Sequence, residues 1–324
     1  MNDPTDRILE VAQRAGRAAA RLCQAVLAEA PASPDAMAKL GEGPVTVADY
    51  GSQALILKAV AEAFPDHAVI AEEGSAHLRE HTGDASTEQI IRLVSRELGQ
   101  KVDFDQICAW IDHKGAAEAE FTWAIDPIDG TKGFLRREQY AVAIGILRHG
   151  QPHAGVLACP SLDGGMQFSA ARGRGTTAVP LAKGPPQRVH VTSFSDPAKV
   201  RVLGSVEAAH GDPKVVKAVI DDLKLTGGMV RIDSMVKYAV VARGEAEVYL
   251  RPRNKPDYRE NIWDHAAGVI VTEEAGGRVS DLDGRPLDFS RGKRLEDNRG
   301  VLATNGVVHA AILESLRRVE ALRA

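Results

Sequence analysis

Two aspartates three residues apart, Asp126 and Asp129, flank a proline in the stretch WAIDPIDGTKGF (Trp123–Phe134), just after an apolar run and just before Gly130 and Thr131. Proline fixes φ near the value wanted at the second position of a β-turn, so the spacing predicts a turn bracketed by two carboxylates that point into one small volume. The Ile128 carbonyl inside such a turn has no use in regular structure and is left as an oxygen ligand. Gly130 and Thr131 read as a helix start, with free backbone N–H groups suited to a phosphate. Oxygen donors without His or Cys select a hard cation, Mg2+ rather than zinc. An isolated Asp-Pro-x-Asp-Gly is an ordinary surface turn, but the apolar strand before it and acids at other strand ends favour a site. Covalent aspartyl-phosphate chemistry needs its two aspartates two residues apart on a nearly extended segment. Here the spacing is three, which redirects the second carboxylate and fits a metal site better.

Further acids stand where they could join this pair. Glu72 and Glu73 close the run AVIAEE, and because neighbours on a strand point to opposite faces, one of the two is a direct ligand. Asp49 sits at the turn entering a helix, where a role as N-cap is equally open. Asp264, in NIWDHAAG, begins a helix whose Ala-Ala-Gly allows close packing; it too could be an N-cap. Taken alone, Lys237 fits a solvated helix face, Arg251 a strand end and His210 a surface loop. His265 fits a role in orienting or packing its helix, since carboxylates dominate the constellation.

The elements that must hold these residues follow from periodicity. Residues 5–30 carry one apolar face of a long helix, ended by Pro31. A short strand, a turn at Asp49 and a second helix follow, then a strand over 68–73. Ser86 and Gln89 predict a capping box for a helix running to Leu98. FTWAID is a buried strand delivering Asp126 at its end, and YAVAIGIL, HAGVLACP and MQFSAARGRG predict an antiparallel sheet. From about residue 188, strands and helices alternate, ending in a helix over 306–322, which indicates an α/β layer. The fold expected is α+β joined to α/β, with the pattern changing between 155 and 190. This divides the chain into residues 1–160, carrying most of the candidate metal ligands, and 161–324, carrying Asp264.

Composition narrows the classes. The 324 residues are 44% hydrophobic and 26% charged, an ordinary globular balance with enough chain for one large or two medium domains. A net charge of −4 leaves no electrostatic footprint for nucleic acid or an anionic membrane. An anionic ligand must therefore be attracted by local groups or bound cations. Three scattered cysteines without a CxxC argue against a disulfide framework or zinc cage and for a reducing compartment, the cytoplasm by default. No apolar run reaches membrane-spanning length.

Several motifs together give a resemblance that spans nearly the whole chain. DPIDGTKGF, AEE and IWDHAAGVIVTEEAGG resemble the inositol monophosphatase superfamily of lithium-sensitive, Mg2+-dependent phosphatases. PVTVADYGSQALI, DSMVKYAVVARGEAEVYLR, GRPLDFSRGKRL and GVLATNG bring the chain nearest to its 3′(2′),5′-bisphosphate nucleotidase branch. The resemblance implies a layered αβαβα sandwich. It implies that Glu72, Asp126 and the Ile128 carbonyl hold an activating Mg2+, and that Asp126, Asp129 and Asp264 hold a second on the leaving-group side. A third, weaker ion would share Glu72. Asp49 and the Thr131 hydroxyl would orient and deprotonate the attacking water, and the Gly130 and Thr131 amides would grip the phosphate. His210, Ser234, Lys237 and Arg251 match nucleotide-binding positions. The activity implied is hydrolysis of the 3′-phosphate of adenosine 3′,5′-bisphosphate to AMP, with the sulfated nucleotide as a further substrate. An inositol-(poly)phosphate 1-phosphatase on the same metals is the alternative, and a non-catalytic nucleotide sensor a more distant one. Gly74 departs from the branch, where an aspartate is common, and residues 74–105 match weakly.

Overall fold

The computed structural model describes residues 4–30, 37–38, 44–81, 84–206, 211–253, 255 and 257–322. Helix α1 (Thr5–Glu29) buries Ile8, Val11, Ala15, Ala19, Leu22 and Val26, a stripe at helical spacing. It lies against α2 (Val47–Ala63), and the two-residue strands β1 (Met37–Ala38) and β2 (Pro44–Val45) pair between them in the chain. The N-cap of α2 is Thr46, not Asp49. Asp49 is the third helical residue and closes a capping box with Thr46, so the helix begins earlier than the sequence reading placed it.

Strand β3 (Ala68–Ala71) is followed by three helices, α3 (Ser75–His81), α4 (Asp84–Leu98) and α5 (Phe104–Ile111). Helix α4 spans Asp84–Leu98, so Ser86 lies inside the first turn and does not cap it. Helix α5, which the sequence reading left out, has its own capping box between Asp103 and Gln106. Then come β4 (Phe121–Asp129), α6 (Thr131–Leu135), β5 (Ala141–Arg148), β6 (Gln151–Cys159), β7 (Met166–Ala171), β8 (Gly175–Pro180) and β9 (Gln187–Val189). These strands form a seven-stranded sheet in the order β3-β4-β5-β6-β7-β8-β9, with only β3 and β4 parallel. The expected division at 160/161 falls between β6 and β7, which are hydrogen-bonded neighbours; the chain leaves this sheet after Val189.

The second sheet is built from β10 (Val202–Gly204), α7 (Pro213–Leu223), β11 (Met229–Arg231), α8 (Val236–Ala242), β12 (Val248–Arg251), α9 (Ala266–Glu274), β13 (Arg278–Ser280), β14 (Val301–Thr304) and α10 (His309–Ala321). Its order is β11-β10-β12-β14-β13. Strands β10, β11 and β12 run parallel, while β14 is antiparallel to both its neighbours. Three apolar cores, the middle one covering both faces of α8 and α9, hold five layers together: α1 and α2, the first sheet, α8 and α9, the second sheet, and α7 with α10. This is the αβαβα sandwich expected. Helix α9 can lie flat on the first sheet because glycines face it. A Cβ at Gly145 would fall 2.5 Å from that of Ala266, and one at Gly155 2.6 Å from Ile270 Cγ2. Among the described residues no helix is long and apolar enough to cross a membrane.

Candidate active site

The parallel pairing of β3 and β4 decides where the first acids meet. Ala71 pairs with Ile125, and the Glu72 N–H donates to the Ile125 carbonyl at 3.2 Å, so Glu72 leaves its strand beside Asp126. Glu72 is exposed at its surface. Glu73 is instead buried, its backbone held by Gln53, which donates to the Glu73 carbonyl at 2.7 Å and accepts from the Glu73 N–H at 2.9 Å. The Glu72 carboxyl bonds to that of Asp126.

Strand β4 does not end in a β-turn at Pro127. It continues to Asp129 through a bulge: Asp126 pairs with Ala143 and Asp129 with Ala141, three steps against two. Proline, lacking an N–H, is at home in a bulge, and the extra residue turns both carboxylates toward the cleft. The Ile128 N–H donates to Asp126 Oδ1 at 3.0 Å. Gly130 then takes φ 89°, a left-handed conformation that favours glycine, and a Cβ there would lie 2.8 Å from that of Ser234. The Thr131 hydroxyl lies 3.2 Å from the Ile128 carbonyl and 3.4 Å from Asp49 Oδ1, and its single proton serves one of them at a time. The other Asp49 oxygen is fixed by the Thr46 N–H and hydroxyl, both at 2.7 Å.

Asp264 comes from the far half of the chain. Helix α9 starts at Ala266, so Asp264 neither caps nor begins it but sits in the turn before. One oxygen each from Asp126, Asp129 and Asp264 falls within 4.8 Å of the others. Burial, followed by repulsion from neighbouring acids, pushes Glu72 and Asp126 well above the carboxylate range and Asp264 up to about 8. The nearest cation to Asp264, the Arg251 guanidinium, stops at 3.9 Å. Crowded oxygen donors with unrelieved repulsion suit a hard divalent cation.

That repulsion has a sign. A carboxyl whose folded pKa is raised stabilises the fold at low pH and loses that contribution as pH rises through the folded value. For Asp264 the window runs from the ordinary carboxylate range to about 8. The rise in melting temperature on adding Mg2+ is therefore expected to grow from about pH 6 to pH 8, as binding displaces bound protons. Calorimetric scans at both pH values check this; a Mg2+ effect independent of pH would contradict it.

Near the acids are two cations, one buried and one half-buried. Lys237 is 1% exposed, contrary to a solvated helix face; its ammonium donates to the Ile232 carbonyl at 3.0 Å and lies 5.2 Å from the Tyr249 ring centre. Burial lowers its pKa to about 8. Arg251 ends β12 and forks onto Glu260, with Nε 3.0 Å from one carboxylate oxygen and a terminal nitrogen 2.8 Å from the other. Glu260 also lies 3.3 Å from His265 Nε2, and His265 Nδ1 lies 2.7 Å from the Tyr238 hydroxyl. Ser234 is buried at φ 64°, and the next residue, Met235, donates its N–H to Asp129. Arg136 pairs with the buried Asp233 beside it. His210 lies outside the described residues. A cavity of about 530 Å3 opens at the ends of β10–β12, lined by Gly204, Ser205, Arg231, Leu250 and Pro252 among others.

Sequence reasoning missed Glu260, Tyr238, Tyr249 and Thr46. Glu260 sits in a loop rich in charged residues, where one buried acid looks like any solvated one. The S/T-x-x-D/E pattern at Thr46–Asp49 was a readable signal for the cap.

The inositol monophosphatase family model matches residues 5–321. A 3′(2′),5′-bisphosphate nucleotidase from Oryza sativa is 38% identical, with 95% of this chain and 93% of that protein aligned. One from Schizosaccharomyces pombe is 34% identical over 88% and 86%. Among solved structures, an inositol monophosphatase from Anabaena superposes with TM-score 0.65 at 25% identity, covering 98% of this chain and 97% of that one. Thermotoga maritima IMPase gives 0.68 at 20% identity, covering 99% and 100%. A family model matched from residue 5 to 321, with relatives 34–38% identical over most of their length, makes the chain a member of the inositol monophosphatase family.

Proposed function

We propose that this protein is a Mg2+-dependent phosphatase that removes the 3′-phosphate of adenosine 3′,5′-bisphosphate, giving AMP and phosphate, and that it also accepts the sulfated nucleotide. The observation that carries the reading is the placement of two cations, the buried Lys237 and the half-buried Arg251, near the acid cluster. An inositol monophosphate has no second phosphate to meet them. The nucleotidase names of relatives 34–38% identical over most of their length support the same substrate.

Glu72, Asp126 and the Ile128 carbonyl would hold one Mg2+, and Asp126, Asp129 and Asp264 another. Bound Mg2+ would supply positive charge for the phosphate and leaving oxygen and acidify the attacking water. Asp49, held by Thr46, would accept the water's proton through the Thr131 hydroxyl, whose donor and lone pairs orient the nucleophile. The Gly130 and Thr131 amides open α6 and would hold phosphate oxygens. Ser234, Lys237, Arg251 and His210 would take the nucleotide portion. Residues 1–160 thus contribute most of the metal and water chemistry, and residues 161–324 the nucleotide contacts and Asp264. Cys23, Cys108 and Cys159 are buried free thiols, in keeping with a reducing compartment such as the cytoplasm.

Thr131→Val is expected to lower kcat about a hundredfold or more with little change in Mg2+ affinity, and Thr131→Ser to retain most activity. Steady-state kinetics decide it, and a fully active valine variant would remove Thr131 from the water-activating role. The reading as a whole is tested by phosphate release from adenosine 3′,5′-bisphosphate, which should stop on chelation, resume with Mg2+ and be inhibited by lithium. Release that survives chelation would overturn it.

A further inference from the structure

Arg251 reaches Asp264 only as a long ion pair, its terminal nitrogen 3.9 Å from Asp264 Oδ2. The reason is visible in Glu260, which is 3% exposed and takes the Arg251 guanidinium on both carboxylate oxygens, at 3.0 and 2.8 Å. The Tyr258 hydroxyl adds a longer contact at 3.4 Å. Glu260 is in turn fixed through His265 Nε2 at 3.3 Å, with the Tyr238 hydroxyl 2.7 Å from His265 Nδ1. Tyr238 and His265 are both buried, so the chain of bonds from α8 to Arg251 has no solvent link.

A buried guanidinium keeps the best carboxylate within reach. Were the Glu260 charge removed, that carboxylate would be Asp264. An arginine on Asp264 occupies oxygens that the acid cluster needs and opposes a cation by its own charge. We infer that Glu260 is a positioning residue that holds Arg251 off Asp264, so that Asp264 stays available to the metal while Arg251 stays aimed at the second phosphate. The inference rests on the metal reading above, and it assigns a role to Glu260 outside the proposed ligand set.

The test is Mg2+ binding measured by titration calorimetry on the substrate-free protein. Glu260→Gln keeps the size and removes the charge, and is expected to weaken Mg2+ binding about tenfold or more, the range for partners that orient metal ligands. Removing Arg251 as well, in Glu260→Gln/Arg251→Met, should return Mg2+ affinity to near the wild-type value, because no cation is left to capture Asp264. A purely structural role for Glu260 would not produce that recovery. Should Glu260→Gln fail to fold, Glu260→Asp keeps the charge on a shorter arm and should weaken binding by a smaller factor, again relieved by Arg251→Met. Unchanged Mg2+ affinity in the Glu260 variants, or a double variant as weak as the single, would overturn the inference alone. A wild-type protein that binds no Mg2+ would instead overturn the metal reading, and this inference with it.

Discussion

Asp126→Asn is expected to lower phosphate release by about three orders of magnitude or more while making the metal-free protein more stable. Asp126 is 2% exposed, lies at the bulge of β4 and bonds to Glu72, and its oxygens are within reach of Asp129 and Asp264. As the ligand common to both proposed metal positions, it cannot be replaced by its neighbours. Losing several kcal/mol of charge stabilisation corresponds to a thousandfold or more at about 1.4 kcal/mol per factor of ten. The stability gain has the opposite origin. Burial and the charges of Glu72, Asp129 and Asp264 all disfavour an ionised Asp126 in the metal-free protein, and a neutral amide removes that repulsion. Thermal melts should show the variant above wild type without Mg2+ and below it with saturating Mg2+. A variant that melts lower in both conditions would mean that Asp126 holds the fold rather than the metal.

Lys237→Met should separate the two phosphates of the substrate. Lys237 is buried with its pKa lowered from 10.5 to about 8, a difference of about 2.5 units or on the order of 3 kcal/mol against keeping the charge inside. Methionine fills the space without that penalty, so the variant is expected to melt higher than wild type. Its KM for adenosine 3′,5′-bisphosphate should rise about a hundredfold, the size of effect expected when a buried charged hydrogen bond is lost. Turnover of adenosine 3′-monophosphate, which has no second phosphate, should change little. The pH dependence follows: as pH rises through about 8 the wild-type lysine loses its proton and its grip on an anion, so KM for the bisphosphate climbs. The variant should lack that climb. Equal losses on both substrates would show that Lys237 serves the fold or the metal site instead.

Much of this was legible in the chain. The layered fold could be read because α1 carries a clean helical stripe and β4, β5 and β6 each carry an apolar stretch between turn residues. The candidate ligands were legible because acids at the ends of apolar strands are costly unless they do something. What stayed hidden depended on pairing and close packing. The bulge in β4 follows from its register against β5, which no local signal at Asp-Pro-Ile-Asp distinguishes from a turn. Helix α5 escaped because it is short, and Asp264 looked like a helix cap because the turn before α9 is helical in composition. The burial of Lys237 is set by packing against Tyr249, on a strand that follows it in the chain.

The central claim, that the acids together with Lys237 and Arg251 select a bisphosphate nucleotide, is tested most directly by comparing kcat/KM in Mg2+ for adenosine 3′,5′-bisphosphate, adenosine 3′-monophosphate and inositol 1-phosphate. The structure predicts that the bisphosphate leads both others by about a hundredfold or more, from contacts to the second phosphate. Equal turnover of the three, or a preference for inositol 1-phosphate, would contradict it.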